Sequence, residues 1–223
     1  MRLLGQETDG LSLGQIAKRV DLPRSTVQRI VSALSQEGFI STEKGDKGIQ
    51  LGPAIHNLAH ASGSMIKERL RPVMRRISER TGETVDLAVL EGNRMRFIDQ
   101  IVGQHRLRTV SSIGEAFPLT TTANGKAALA CLDPAEATRL ITAELVEHPD
   151  NARPMADILK DIEAIRAGQL AQDIDEHTDG VSALGYAERD QNGEIYAVSV
   201  PVPSSRFIRI ADALAETIEA CRA

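Results

Sequence analysis

Apolar residues recur every third or fourth position along residues 13–34, alternate with polar ones along 85–100, and return to helical spacing beyond 123. Leu13, Ile16, Ala17 and Val20 form a first helical stripe, and Ser12 three residues before Gln15 has the spacing of a capping box. "VDLP" interrupts the stripe, because Asp21 favours a turn and Pro23 discourages helix at Leu22. Pro23 suits the first turn of a second helix, in which Val27, Ile30, Val31 and Leu34 repeat at i, i+3, i+4, i+7. Gly38 predicts a left-handed stop with Phe39 and Ile40 folding back under it. "FISTEKGDKGIQLG" then reads as two short strands around a charged tip. Two short helices, a tight turn and a hairpin predict a winged helix-turn-helix over residues 1–52.

Residues 53–63 predict a linker helix, with Ile55, Leu58 and Ala59 at helical spacing. An amphipathic helix follows over 65–83, with Leu70, Val73, Met74 and Ile77 inward; Pro72 predicts a kink or break near Arg71. Alternation on both sides of Glu91-Gly92-Asn93 predicts a hairpin, its second strand near Met95, Phe97 and Ile98, and "HRLRTVSSI" a further short strand. A helix begins near Thr122 or Ala123, with Asn124 and Gly125 in its first turn, where backbone N–H groups could hold a carboxylate. Helices over 134–145 and about 154–171, strands over 181–188 and 194–202 turning at "DQNGE", and a closing helix from Ser205 to Arg222 complete the pattern. The fold class is α+β, with a second domain over 64–223 in which helices pack outside a sheet.

The 223 residues are 42% hydrophobic and 26% charged, enough apolar material for proper cores, but only 3% aromatic, so those cores rest on Leu, Ile, Val and Ala. Cys131 and Cys221 are far apart, without metal or disulfide spacing, and no stretch approaches the roughly 20 apolar residues of a membrane span. A cytoplasmic protein without a membrane partner is expected. The net charge of −5 is uneven: seven basic residues against six acidic leave residues 1–52 at +1, and 19 against 25 leave the remainder at −6.

That asymmetry bears on the second helix. With its stripe turned inward, Arg24, Ser25, Thr26, Gln28 and Arg29 point outward near its start, and Lys44 and Lys47 stand at the hairpin tip. Ser25, Thr26 and the helix N-terminus suit phosphate, while Gln28 and Arg29 could reach adenine and guanine edges. The alternative is an ordinary solvated face; cap, turn proline, stripe, glycine stop and basic tip together favour double-stranded DNA.

Catalytic and metal chemistry find little support. His56 and His60 stand four apart but lack a third ligand; Cys131 is expected on the buried face of an Ala-rich helix; "TTANGKA" lacks P-loop spacing around Lys126. No enzyme, metal or cofactor is expected.

Nearly the whole chain resembles the IclR family of bacterial transcriptional regulators. The resemblance is carried by "LSLGQIAKRVDLPRSTVQRIVSALSQEGFI", "RLRPVMRRISERTGETVDLAVLEGN", "SSIGEAFPLTTTANGKAALACL" and "GVSALGYAERDQNGEIYAVSVPVPSSRF". It implies a GAF-like effector-binding domain with an antiparallel sheet, a homodimer or dimer of dimers, and a small organic acid, aliphatic or aromatic, as effector. It also implies a pocket between the sheet and the segment 114–126, including Gly114, Thr122, Ala123, Asn124 and Gly125. The family's pocket positions fall on Asp173, Ala183, Ser199 and Pro201. Many members have Cys at Ala183 and Ser at Pro201, which implies an effector bulkier or more apolar than a two-carbon acid; the alternative is that these strand residues merely pack. Members carry a full helix before the helix-turn-helix, whereas only "RLLGQE" precedes the turn at Thr8 to Gly10. The chain is therefore expected to start late or to shorten that helix to about one turn. A DNA-binding or interaction protein whose sensor fold has lost its pocket remains the alternative function.

Overall fold

A turn of helix, α1 (Arg2–Gly5), precedes the capping box that Ser12 and Gln15 build at the start of α2 (Leu13–Val20) in the computed structural model. Residues 1–5, 7, 10–42, 48–149 and 153–222 are described, without the side chains of 2 and 56–65. Two compact units divide the chain, Met1–Ile66 and Lys67–Ala223.

In the first unit Ser12 Oγ accepts the Gln15 N–H at 3.2 Å, and Gln15 Oε1 accepts the Ser12 N–H at 2.8 Å. Asp21 turns the chain with φ 52° into α3 (Arg24–Gln36), where Pro23 is the N-cap residue. Gly38 (φ 73°) stops α3, and the Phe39 N–H reaches back to Leu34 O at 2.9 Å. β1 (Ile40–Ser41) and β2 (Gln50–Leu51) pair antiparallel, and Leu11 bridges to Ile49 beside them. Leu4, Leu11, Ile16, Val27, Val31, Ile40 and Ile49 make the core, with Leu34 packed against it. Two stripe residues stay outside: Val20 is 42% exposed and Ile30 46%. Ile30 lies about 60° around the helix from Val27, beyond what the eight-residue α2 can cover.

Helix α4 (Ala54–Thr81) begins in the first unit and ends in the second. It is not broken near Arg71: Pro72 lies inside it, exposed, while Leu70, Met74 and Ile77 are buried on either side. That burial offsets a proline cost of about 3 kcal/mol. β3 (Val85–Glu91) and β4 (Arg94–Ile101) form the expected hairpin around Gly92 (φ 61°). The expected strand over 105–113 is absent; these residues form a loop that exposes Leu107, Val110 and Ile113, so their alternation has no sheet partner behind it. β5 (Ala116–Phe117) instead pairs with β4.

Next come α5 (Ala123–Ala130), α6 (Pro134–Glu147) and α7 (Met155–Arg166). Helix α7 stops short of 171 because Gly168 (φ 106°) ends it, and Ala171–Ile174 is a strand, β6, that the helical spacing concealed. β7 (Val181–Arg189), β8 (Ile195–Pro203) and α8 (Ser204–Arg222) finish the unit. The sheet is antiparallel, in the order β5-β4-β3-β8-β7-β6. Met95, Phe97 and Ala197 of the sheet pack with Leu129, Ile141, Ile158 and Ile162 of α5, α6 and α7. Cys131 is the C-cap of α5 and half-buried rather than on a buried helix face. Among the described residues no helix is long and apolar enough to cross a membrane.

Candidate functional site

The start of α3 is built differently from its neighbours. Side chains cap α2, α5 and α6 but neither α3 nor α7; α7 has Asp157 in its first turn, whereas α3 has no acidic residue there. A cap is worth about 1 kcal/mol, so α3 forgoes that stabilisation and leaves the partial positive charge of its first turn open. Arg24, Ser25, Thr26, Gln28 and Arg29 are all exposed around it. Lys44 and Lys47, expected at the hairpin tip, lie outside the described residues.

The second unit contains a cavity of about 410 Å³ between the sheet, the loop 109–115 and the first turn of α5. Strand register explains its floor. Asp86 on β3 pairs with Ser199 on β8, which pairs with Gly185 on β7; two residues along, Pro201 pairs with Ala183, and Ala183 with Asp173 on β6. Side chains two apart share a face, so Asp86, Ser199, Pro201, Ala183 and Asp173 all line the cavity.

Thr122, Ala123 and Asn124 line the opposite wall. Thr122 Oγ1 donates to Pro118 O at 2.7 Å and accepts the Gly125 N–H at 3.1 Å, which leaves the Ala123 and Asn124 N–H groups without a side-chain cap. Gly125 does not line the cavity. A Cβ there would lie 2.5 Å from Leu119 Cα and O, so its place is a close backbone approach. Gly114 is also outside it: its carbonyl accepts from Arg96 Nη1 at 2.7 Å.

Several lining residues were not anticipated. Phe97 and Phe117 stack with centroids 4.5 Å apart, and His177 meets Phe117 edge-on at 5.1 Å. The one sequence signal for Asp86 is a carboxylate inside an otherwise apolar strand run. Glu144 on α6 does not line this cavity, and nothing in the sequence marks it. Buried, it accepts the Leu119 N–H at 2.6 Å, the Thr120 N–H at 3.0 Å and the Thr120 hydroxyl, clamping the loop that leads into α5.

Burial raises the carboxyl pKa of both Asp86 and Asp173 to about 6, against hydrogen bonds that lower it, from Gln100 and Ser111 to Asp86 and from backbone N–H groups to Asp173. Burial lowers His177. The folded state holds the Asp86 and Asp173 protons more tightly than the unfolded chain does. Their contribution therefore makes stability fall as pH rises from about 4 to about 6, then level off. At about 1.36 kcal/mol per pKa unit, each ionisation costs on the order of 3 kcal/mol. Asp86→Asn should remove about half of this fall, Asp173 keeping the rest, and leave the variant about 1–3 kcal/mol more stable than the parent at neutral pH. Urea denaturation at acidic and neutral pH measures this; an unchanged slope would remove Asp86 as its source.

A helix-turn-helix with an open recognition end, carried on one chain with a sheet domain that encloses a ligand-sized cavity, defines a DNA-binding transcriptional regulator. The model described as "IclR helix-turn-helix domain" matches residues 1–44, and "Bacterial transcriptional regulator IclR C-terminal" matches 59–223. The chain belongs to the IclR family of bacterial transcriptional regulators. It is 38% identical over 208 residues to the HTH-type transcriptional regulator Rv1719 of Mycobacterium tuberculosis, covering 93% of this chain and 80% of that protein. It is 34% identical to the HTH-type transcriptional regulator TtgV of Pseudomonas putida, covering 98% and 84%. An IclR transcriptional regulator from Silicibacter sp. TM1040 shares the fold with a TM-score of 0.67 at 24% identity, covering 95% and 85%. These relatives are named as regulators, not enzymes.

Proposed function

We propose that this regulator binds operator DNA through the first turn of α3, and that its operator affinity changes when a small organic molecule fills the cavity of the second unit. The observation that supports this most directly is the cavity itself. Its volume of about 410 Å³ lies within the range of about 300–1,000 Å³ usual for small-molecule sites, and it lies inside the segment matched to the family's C-terminal domain. The homodimer or dimer of dimers implied by the resemblance, and the cytoplasmic setting expected from the cysteines and the lack of a membrane-length apolar stretch, belong to the same proposal. The Ala123 and Asn124 N–H groups would hold a polar group of the small organic molecule.

Coupling of this kind is reciprocal and typically about 1–3 kcal/mol. Titrating operator DNA with and without each molecule of a metabolite panel tests it. The reading fails if molecules that raise the melting temperature leave operator affinity unchanged. On the DNA side, Gln28→Ala or Arg29→Ala is expected to cost about 1–3 kcal/mol at one operator position. An equal loss on every sequence would reassign that side chain to phosphate.

A further inference from the structure

Asn124 sits in the cavity wall, 2% exposed, and its Oδ1 is buried with no hydrogen-bond partner. An unpaired buried acceptor is costly and calls for a donor. The ionisable lining has the same bias. Asp86, Glu115 and Asp173 line the cavity, and no Lys or Arg does among the described residues. Lys126, two residues beyond Asn124, is committed elsewhere: its Nζ lies 2.7 Å from Glu176 and 3.6 Å from Asp161. Arg153 binds that same pair at 2.7 Å each. His177 is held toward its neutral form by burial. A carboxylate entering here would meet three of its own kind and could give Asn124 Oδ1 nothing.

A hydroxyl has one donor and two acceptor positions. It can accept from the uncapped Ala123 and Asn124 N–H groups and donate to Asn124 Oδ1 or to Asp173. Beside it, Phe97, Phe117 and His177 offer ring surface, which suits an aromatic body. We propose that the cavity takes an uncharged, hydroxylated aromatic molecule rather than a carboxylate. This rests on the reading of the cavity as the effector site. It also gives the two buried aspartates a role, since groups that destabilise the empty fold are commonly kept for function.

The test uses the full chain at neutral pH with matched probes: 4-ethylphenol against 4-ethylbenzoate, benzyl alcohol against benzoate, and benzylamine. Calorimetry should show each hydroxyl compound binding at least about tenfold more tightly than its carboxylate partner. Asn124→Ala should weaken the hydroxyl compounds by about tenfold while the empty variant melts no lower than the parent. Carboxylates binding as tightly as their hydroxyl partners would overturn the inference and leave the cavity as an effector site for acids. Benzylamine binding more tightly than benzyl alcohol would overturn it in favour of a cation. Hydroxyl compounds that bind Asn124→Ala undiminished would place them elsewhere. Silence from every probe would overturn the inference, while the metabolite panel titrated with operator DNA decides the effector reading separately.

Discussion

Replacing Gly125 by alanine is expected to lower the melting temperature of the second unit by roughly 10 °C, although the change adds one methyl group to an eight-residue helix. In an open helix the same substitution stabilises by about 1 kcal/mol. Here the new Cβ would lie 2.5 Å from Leu119 Cα and O and 2.6 Å from Pro118 O. All three are backbone atoms, and the Glu144 clamp and the Thr122 bond to Pro118 O prevent that segment from backing away. Overpacking costs about 1–3 kcal/mol and occasionally more; with three backbone contacts this short the upper end applies, which in a unit of this size corresponds to that shift. Gly14→Ala is the control. Nothing lies within 4 Å of a Cβ at Gly14 in α2, so it should leave stability level or raise it slightly. Calorimetric scans of the full-length variants decide the matter. A Gly125→Ala protein melting with the parent would mean that α5 can slide off the loop.

Glu144→Ala should be of similar size. It strips the acceptor from two backbone N–H groups and one hydroxyl in a buried site. An orphaned buried donor costs about 1–3 kcal/mol, so the three together should cost at least about 3 kcal/mol. Glu144→Gln keeps one acceptor oxygen and should lose about half as much. The signature is a urea midpoint that falls in the order parent, Gln, Ala. Equal midpoints for Gln and Ala would show that the second carboxylate oxygen carries the clamp alone. Because the clamped loop leads directly to Thr122 and Asn124, ligand affinity in Glu144→Gln should fall with stability.

What can be read from the sequence follows what is local. The capping box at Ser12, the stop at Gly38 and the turn at Gly92 each depend on a few adjacent residues, and all three are in place. Alternation over 105–113 and helical spacing through 171 misled for one reason. Apolar periodicity records which side chains are apolar, and the fold of a segment also depends on what packs behind it. Leu107, Val110 and Ile113 are exposed on a loop with no strand to pair with among the described residues, and β6 exists because β7 is there to pair with it. The cavity divides the same way. Thr122 to Asn124 are visible as a helix start. Asp86 joins them only through a register that brings β3 beside β8, a partner more than a hundred residues away in the chain. Gly114 and Gly125 share the cavity's segment of chain but not its surface.

Asp86 and Asp173 have a consequence for how long each molecule survives. With both carboxylates ionised in a buried place, the vacant second unit lacks at neutral pH the stability that their protonated forms contribute in acid. Proteases that capture opened chains act on the fraction that is open, so vacant copies would be cleared faster than filled ones. Under the proposed function, filling the cavity would thus raise the number of regulators in the cell as well as alter the grip of each on DNA. The response to a ligand would then have two tempos: a fast one set by binding, and a slow one set by turnover.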